Sequence, residues 1–410
     1  MDCLGNDALL TGAGATTPAA GRRGSLRRKL YRIHSWAGFQ LTLLTFVVVA
    51  TGTFAVIGDE IDWALRPQQR IAEPLHGVPA WDAMLASAVE HRPESRPRSI
   101  SLGETRNAAA LVLVDKPDQR PLRLFADPGS GEILGEGHWL NVQRVLRDLH
   151  RYLYLMTAGI GLPVVTLAAL VLATQIATGL VIIKKWGKAM VTVRAHKGLR
   201  VLVGDLHRAS AMWTLWFTLL IVVTSVWYVA EWGMLRIGGY NPEAPRSRVT
   251  VAENYRPRSA LAPSFYIAAA TEAFPELQPR QILFPAGAKG AVTIMGRSTD
   301  VLVRDRASRV FLDPADASVL HVQRPGDLTP LQYVTEIADP LHFGDVGGLW
   351  TKWLWFACGL VLTLLTASGT WLTWRRTRQG FGAWHLASSG VLAVSAVAGY
   401  IYLGYYLTGY

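Results

Sequence analysis

Four histidines stand at places that repeat along the chain. His34 in RIHSWAG precedes a long apolar run, and Thr51 follows it after 17 residues. His207 in GDLHRASA does the same, with Thr224 again 17 residues on. His150 in DLHRYLY lies 34 residues before Lys184, and His342 in PLHFGDVGG lies 33 residues before Arg375. The first two fall at the entrance of apolar segments and the other two at the start of the segments that return. One histidine beside a helix end is ordinarily an interfacial polar residue. Four at duplicated positions call for chemistry, and imidazole is a strong ligand for haem iron. Paired as His34 with His207 and His150 with His342, they would hold two haem irons as axial ligands at two depths. Two axial imidazoles leave iron no open position, which suits electron transfer. The chain has no CxxCH for covalent attachment, so the haems would be of b type.

The elements that must position these residues are membrane helices. Half of the 410 residues are hydrophobic, only 17% are charged, and the mean hydropathy is +0.21. Five stretches reach the roughly 20 residues a helix needs to cross a bilayer: near Trp36–Ile57, Gly159–Ile183, Ala209–Ala230, Gly348–Trp374 and Leu386–Leu407. Basic clusters at Arg22–Arg32, Lys184–Arg200 and Arg375–Arg378 fall on one side, which marks the cytoplasm. The net charge of +11 is thereby a matter of topology, and nucleic acid is excluded as a partner. The first apolar run lacks a convincing cleavage site and reads as an uncleaved anchor. Cys3 and Cys358 form no CxxC pair, which argues against iron–sulfur or thiol redox chemistry.

The expected order is a basic cytoplasmic amino terminus (1–30), a first helix (31–57), an outer domain (58–147), a second helix (148–183), a cytoplasmic loop (184–204), a third helix (205–230), a second outer domain (231–341), a fourth helix (342–374), a short loop (375–384) and a fifth helix (385–410). The carboxyl terminus would lie outside. Each outer segment shows a helical stretch (WDAMLASAVEHR, SFYIAAATEAF), a Pro-Arg run (PRSISL, PRQILF) and a strand entering an Asp-Pro turn (LFADPGSGEIL, VFLDPADASVL). The fold class expected is a mainly α membrane protein. A helix–outer domain–helix unit occurs twice, with two small α+β domains and a fifth helix added. Glycines at Gly159, Gly161, Gly344, Gly347 and Gly348 would bend the return segments or admit a flat ligand. Arg32, Arg151 and Arg208 flank three of the histidines and could pair haem propionates or serve as interfacial anchors. His385 has no repeat partner, and His76, His91, His138, His196 and His321 read as solvated or headgroup neighbours.

With RKLYRIHSWAG, LFADPGSGEILG, LHRYLY, GDLHRASA and PLHFGDVGGLW in these places, the chain resembles the PepSY-associated transmembrane proteins, often described as iron-regulated membrane proteins. The resemblance runs from about Arg28 to Arg375. It implies bis-histidine haems on His34, His150, His207 and His342. It also implies PepSY-like periplasmic domains and the activity of an inner-membrane reductase of ferric siderophores. The second domain departs most, since DPADASVL lacks the glycines of the first turn. Some relatives carry a flavin- and NADPH-binding region; the GAGA near Gly12 follows no strand and is no dinucleotide fingerprint. The electron donor would be a separate cytoplasmic protein, a small carrier or quinone. The partners expected are thus a ferric siderophore or ferric chelate, membrane lipid and that donor. Two other classes stay open: a haem-free anchored PepSY module that binds or regulates a protease, and a permease. Against the permease, the apolar helices carry almost no charge at mid-depth.

Overall fold

A run of apolar residues longer than a bilayer is thick can satisfy its backbone there only as a helix. The computed structural model describes residues 20–115, 121–156, 159–239, 261–285, 290–377 and 382–407. Cys3, the GAGA run, Arg378 and the side chains of Arg22 and Arg23 lie outside the described residues. The first span is not the single straight helix expected. α1 (Ala20–Gln40) and α2 (Thr42–Val56) meet at Leu41, with a bend of 68° between them. No proline or glycine marks that residue. Leu41 adopts φ −105°, ψ 11°, and Thr214, the junction of α8 (Leu199–Trp213) and α9 (Leu215–Arg236) described below, adopts φ −97°, ψ 12°. The two breaks are 173 residues apart, the same separation as His34 and His207.

Beyond α2 come α3 (Gly58–Leu65), α4 (Trp81–His91), strands β1 (Arg96–Ser101), β2 (Ala110–Asp115), β3 (Leu122–Ala126) and β4 (Ile133–Gly137), then α5 (Val142–Tyr152). The chain returns through α6 (Gly161–Ile182), turns over the short α7 (Trp186–Val191), and leaves again through α8 and α9. A second outer segment holds α10 (Pro263–Ala273), β5 (Gln278–Leu283), β6 (Val292–Arg297), β7 (Arg309–Leu312), β8 (Val319–Gln323) and α11 (Pro330–Phe343). α12 (Leu349–Thr377) and α13 (Ala383–Leu407) complete it. Helices α6, α9, α12 and α13 are each long and apolar enough to span, and the bent α1–α2 pair makes a fifth span if it is counted as one. The protein is therefore a multi-pass membrane protein, mostly helical.

The outer segments do not form two separate sheets. Their strands build one eight-stranded antiparallel sheet in the order β4-β3-β2-β1-β5-β6-β7-β8. The Pro-Arg strands β1 and β5 meet at its centre, where Ile100 pairs with Ile282 and both are fully buried. Joining there leaves each half with one edge strand instead of two, which removes an exposed ladder from each. α4 and α10 cover one face with a shared core of Trp81, Met84, Tyr266 and Phe274. The Asp-Pro turns are as expected. Asp127 Oδ1 accepts from Gly129 and Ser130 N–H, and Asp313 Oδ1 from Ala315 N–H.

The return segments also differ from single helices beginning at the histidines. α5 ends at Tyr152, Leu153 and Tyr154 take left-handed backbone (φ 50° and 56°), and α6 starts only at Gly161. A Cβ at Gly161 would stand 2.2 Å from the Tyr152 carbonyl oxygen, so the turn admits only glycine. In the other half, Gly344 (φ 77°) stops α11, and a Cβ there would meet the Trp355 ring at 2.3 Å. Each outer histidine thus sits in the last turn of a helix that stops before the span begins.

Candidate functional site

His150 on α5 and His342 on α11 come together although 192 residues separate them. Their ring centroids are 6.2 Å apart and their planes differ by 36°. Two imidazoles bound to one metal from opposite sides, each nitrogen at about 2 Å, place their ring centroids about 6 Å apart. The separation therefore fits a shared metal centre.

Hydrogen bonds assign which nitrogen of each ring carries the proton. His150 Nδ1 lies 2.8 Å from the Val48 carbonyl oxygen, which can only accept. The proton is on Nδ1, and Nε2 keeps its lone pair. His342 Nδ1 lies 2.8 Å from Thr224 Oγ1. That hydroxyl spends its own proton on the carbonyls of Leu220 (2.9 Å) and Ile221 (3.1 Å), so it accepts from the ring. The inner histidines follow the same rule. His34 Nδ1 donates to Thr178 Oγ1 at 2.9 Å, while that hydroxyl donates to the Thr174 carbonyl. His207 Nδ1 donates to Ser368 Oγ at 2.9 Å, and that hydroxyl donates to the Leu365 carbonyl at 3.2 Å. All four rings present Nδ1 to an oxygen acceptor, so that in the neutral ring Nε2 carries the lone pair that binds a metal, with an oriented partner behind Nδ1.

Glycine makes room against these rings. A Cβ at Gly52 would stand 2.6 Å from His150 Cε1, and one at Gly369 would stand 3.1 Å from His207 Cε1. A Cβ at Gly179 would stand 3.6 Å from His34 Cε1, an ordinary contact. Thr178-Gly179 on α6 and Ser368-Gly369 on α12 thus serve the two inner histidines in matching ways.

His34 on α1 and His207 on α8 line one cavity of about 910 Å³, within the range that holds a sizeable organic ligand. Its walls are apolar (Val171, Leu172, Ile176, Leu362, Leu365). Its mouth, on the face away from the sheet, is lined by Lys184, Lys185, Lys188, Arg194, Arg200, Arg208 and Arg376, with no carboxylate among the described lining residues. The inner cavity has the size and lining that a haem needs, and the outer pair has the ring separation that a shared metal needs. Among the described residues no group of three or more His, Cys, Asp or Glu side chains could hold a metal ion by itself. The ligands come as imidazole pairs, which suit a metal whose other ligands arrive with it.

The three flagged arginines part ways. Arg208 lines the cavity, but its guanidinium is tied to Asp205 (3.1 Å) and to the carbonyls of Ala189 and Thr192. Arg32 is exposed and is not among the cavity-lining residues. Arg151 packs over the Tyr152 ring. His385 does not line the cavity either; it begins α13. His91 pairs with Glu136 at 3.0 Å, and His321 stacks near Phe311.

Several positioning residues carry no signal readable from local sequence. Tyr228 stands 5.2 Å from the His342 ring and donates to Asp339 Oδ1 at 2.5 Å. Gln175 donates to the His34 carbonyl at 3.0 Å. Trp355 donates from its indole to the Leu341 carbonyl at 2.9 Å, one residue from His342. A Trp-rich membrane chain hides such a residue among interfacial ones.

The model of one protein family, the PepSY-associated TM region, matches residues 31–376 of the chain. The matched stretch contains all four histidines and both outer segments. No curated protein matches the chain.

Proposed function

The chain belongs to the PepSY-associated transmembrane family, and on that premise we propose that it is a two-haem oxidoreductase of a bacterial inner membrane. It carries electrons from a cytoplasmic donor to a ferric siderophore or similar ferric chelate on the side of the sheet. The observation that carries this reading is the common arrangement of His34, His150, His207 and His342: each presents Nδ1 to an oxygen acceptor, which leaves Nε2 as the nitrogen for iron. In this reading His34 and His207 hold the inner haem, and His150 and His342 the outer one. Haem bound by two imidazoles supplies one-electron transfer without an open site for oxygen.

The chain's own residues do the positioning. The Nδ1–H bonds fix the four ring orientations and raise ligand basicity. Leu172, Phe217, Val222, Trp355, Cys358 and Leu362 pack into a core among the helices and keep water out of it. The side chains need not transfer protons. Fe(III) is held by hard oxygen donors, and Fe(II) is softer and binds them far less strongly. One electron therefore releases the metal with the chelator intact.

The architecture proposed is a duplication, two helix–domain–helix halves about an axis along the membrane normal. Two relationships support it. The helix breaks and inner histidines share one separation. Ile100 and Ile282, which hold the same place in the two Pro-Arg runs, pair with each other, as a twofold axis demands. The amino terminus would be cytoplasmic and the carboxyl terminus periplasmic. Anaerobic mixing of the dithionite-reduced protein with a ferric hydroxamate tests the activity. Reoxidation of the haem bands with matching capture of Fe(II) by a chromogenic chelator is the expected result. A reduced protein that ferric chelates do not reoxidise would overturn it.

A further inference from the structure

The mouth of the inner cavity carries more positive charge than a haem needs. A haem brings two propionates. The mouth presents seven basic side chains, and the nearby carboxylate of Asp205 answers only Arg194 and Arg208. Among the described residues, Lys184, Lys185, Lys188 and Arg200 make no ion pair, and all four are exposed. They fall in one stretch that runs from the end of α6 through α7 to the start of α8. Exposed apolar side chains lie between them: Trp186 at 50%, Val191 at 73% and Leu199 at 63%. An apolar, aromatic centre within a charged rim is the make-up of a protein interface.

The four cations line the cavity that holds His34 and His207, so whatever docks there is brought beside the inner ligand pair. Cations that served only to hold lipid headgroups would have no need to line that cavity. We propose that this mouth is the docking surface for an acidic soluble electron-carrier protein. The proposal rests on the two-haem reading above and names the class of its donor. The donor gives one electron per encounter and is itself oxidised by one electron, and no bond is made or broken. Long-range attraction between an acidic carrier and this surface would raise the association rate and make it sensitive to salt.

The test uses the full-length, haem-loaded protein in detergent and a reduced flavodoxin, an acidic FMN protein, as the probe. Stopped-flow absorbance follows haem reduction. The second-order rate should fall about tenfold or more between about 50 and about 500 mM salt. A variant combining Lys184→Gln, Lys185→Gln, Lys188→Gln and Arg200→Gln should lower the low-salt rate about fivefold or more. Dithionite reduction of each sample shows whether haem is in place. A variant that is haem-loaded, reacts with flavodoxin as fast as the wild type and shows no salt effect overturns the docking surface and leaves the two-haem reading standing. The same outcome with weaker binding to phosphatidylglycerol vesicles assigns these cations to lipid. A wild-type protein that binds no haem overturns both.

Discussion

The ring centroids of His150 and His342 are 6.2 Å apart, although the residues end two different helices. On the proposed reading His150 and His342 hold one haem, and His34 and His207 hold the other. His150→Ala and His342→Ala should each lower the haem content from about two to about one per chain and remove the same spectral component. His34→Ala and His207→Ala should remove the other component. Pyridine haemochromogen assay and low-temperature spectra would read this. Loss of both components from either outer substitution would break the pairing.

The hydroxyls behind the rings should matter nearly as much as the rings. Thr224→Val leaves the His342 Nδ1–H without its acceptor, and Ser368→Ala leaves that of His207 only the Leu365 carbonyl. Haem affinity at the matching site should fall about 10- to 100-fold. Transfer of haem to apomyoglobin measures it, site by site. Unchanged transfer rates would mean that these bonds do not orient the ligands.

Gly52 is a test of close packing. The Cβ of Gly52→Ala would stand 2.6 Å from His150 Cε1 and 2.7 Å from Nδ1, closer than carbon atoms approach without movement. The outer component should be weakened or lost while the inner one is retained. A normal outer spectrum would show that the His150 ring can move aside and still bind.

The seam of the sheet carries the outer region's stability. Ile282→Ala removes a fully buried side chain at the β1–β5 junction. It should cost about 2–5 kcal/mol. Hydrogen exchange should show faster opening across β1 and β5 while the membrane helices keep their protection. Uniform protection across the seam would mean that the halves do not depend on each other.

Spacing made the four histidines legible in the sequence, because apolar runs and their entry residues recur at fixed intervals. The partners behind them were not legible. Val48, Thr178, Thr224 and Ser368 lie 102 to 161 residues from the histidines they meet, on other helices, and helical Ser and Thr usually bond only their own carbonyls. The helical and hairpin stretches of both outer segments were readable from periodicity and Asp-Pro turns. That β1 and β5 would join them was not, since it pairs residues 182 apart and either strand could as well have been an edge. The break at Leu41 has no Gly or Pro to announce it. Of the arginines beside the histidines in sequence, Arg208 lines the inner cavity and Arg32 does not, and the cavity's other cations come from α7, its flanks, the start of α8 and α12.

The central claim is that two imidazole pairs each hold a haem, and one measurement reaches it most directly. The full-length protein, purified in detergent after expression with ample haem, is examined by absorption spectroscopy, oxidised and then dithionite-reduced, with haem and protein quantified together. The account predicts a sharp reduced α-band of b type and about two haems per chain. A colourless protein that stays so when haem is supplied would contradict it.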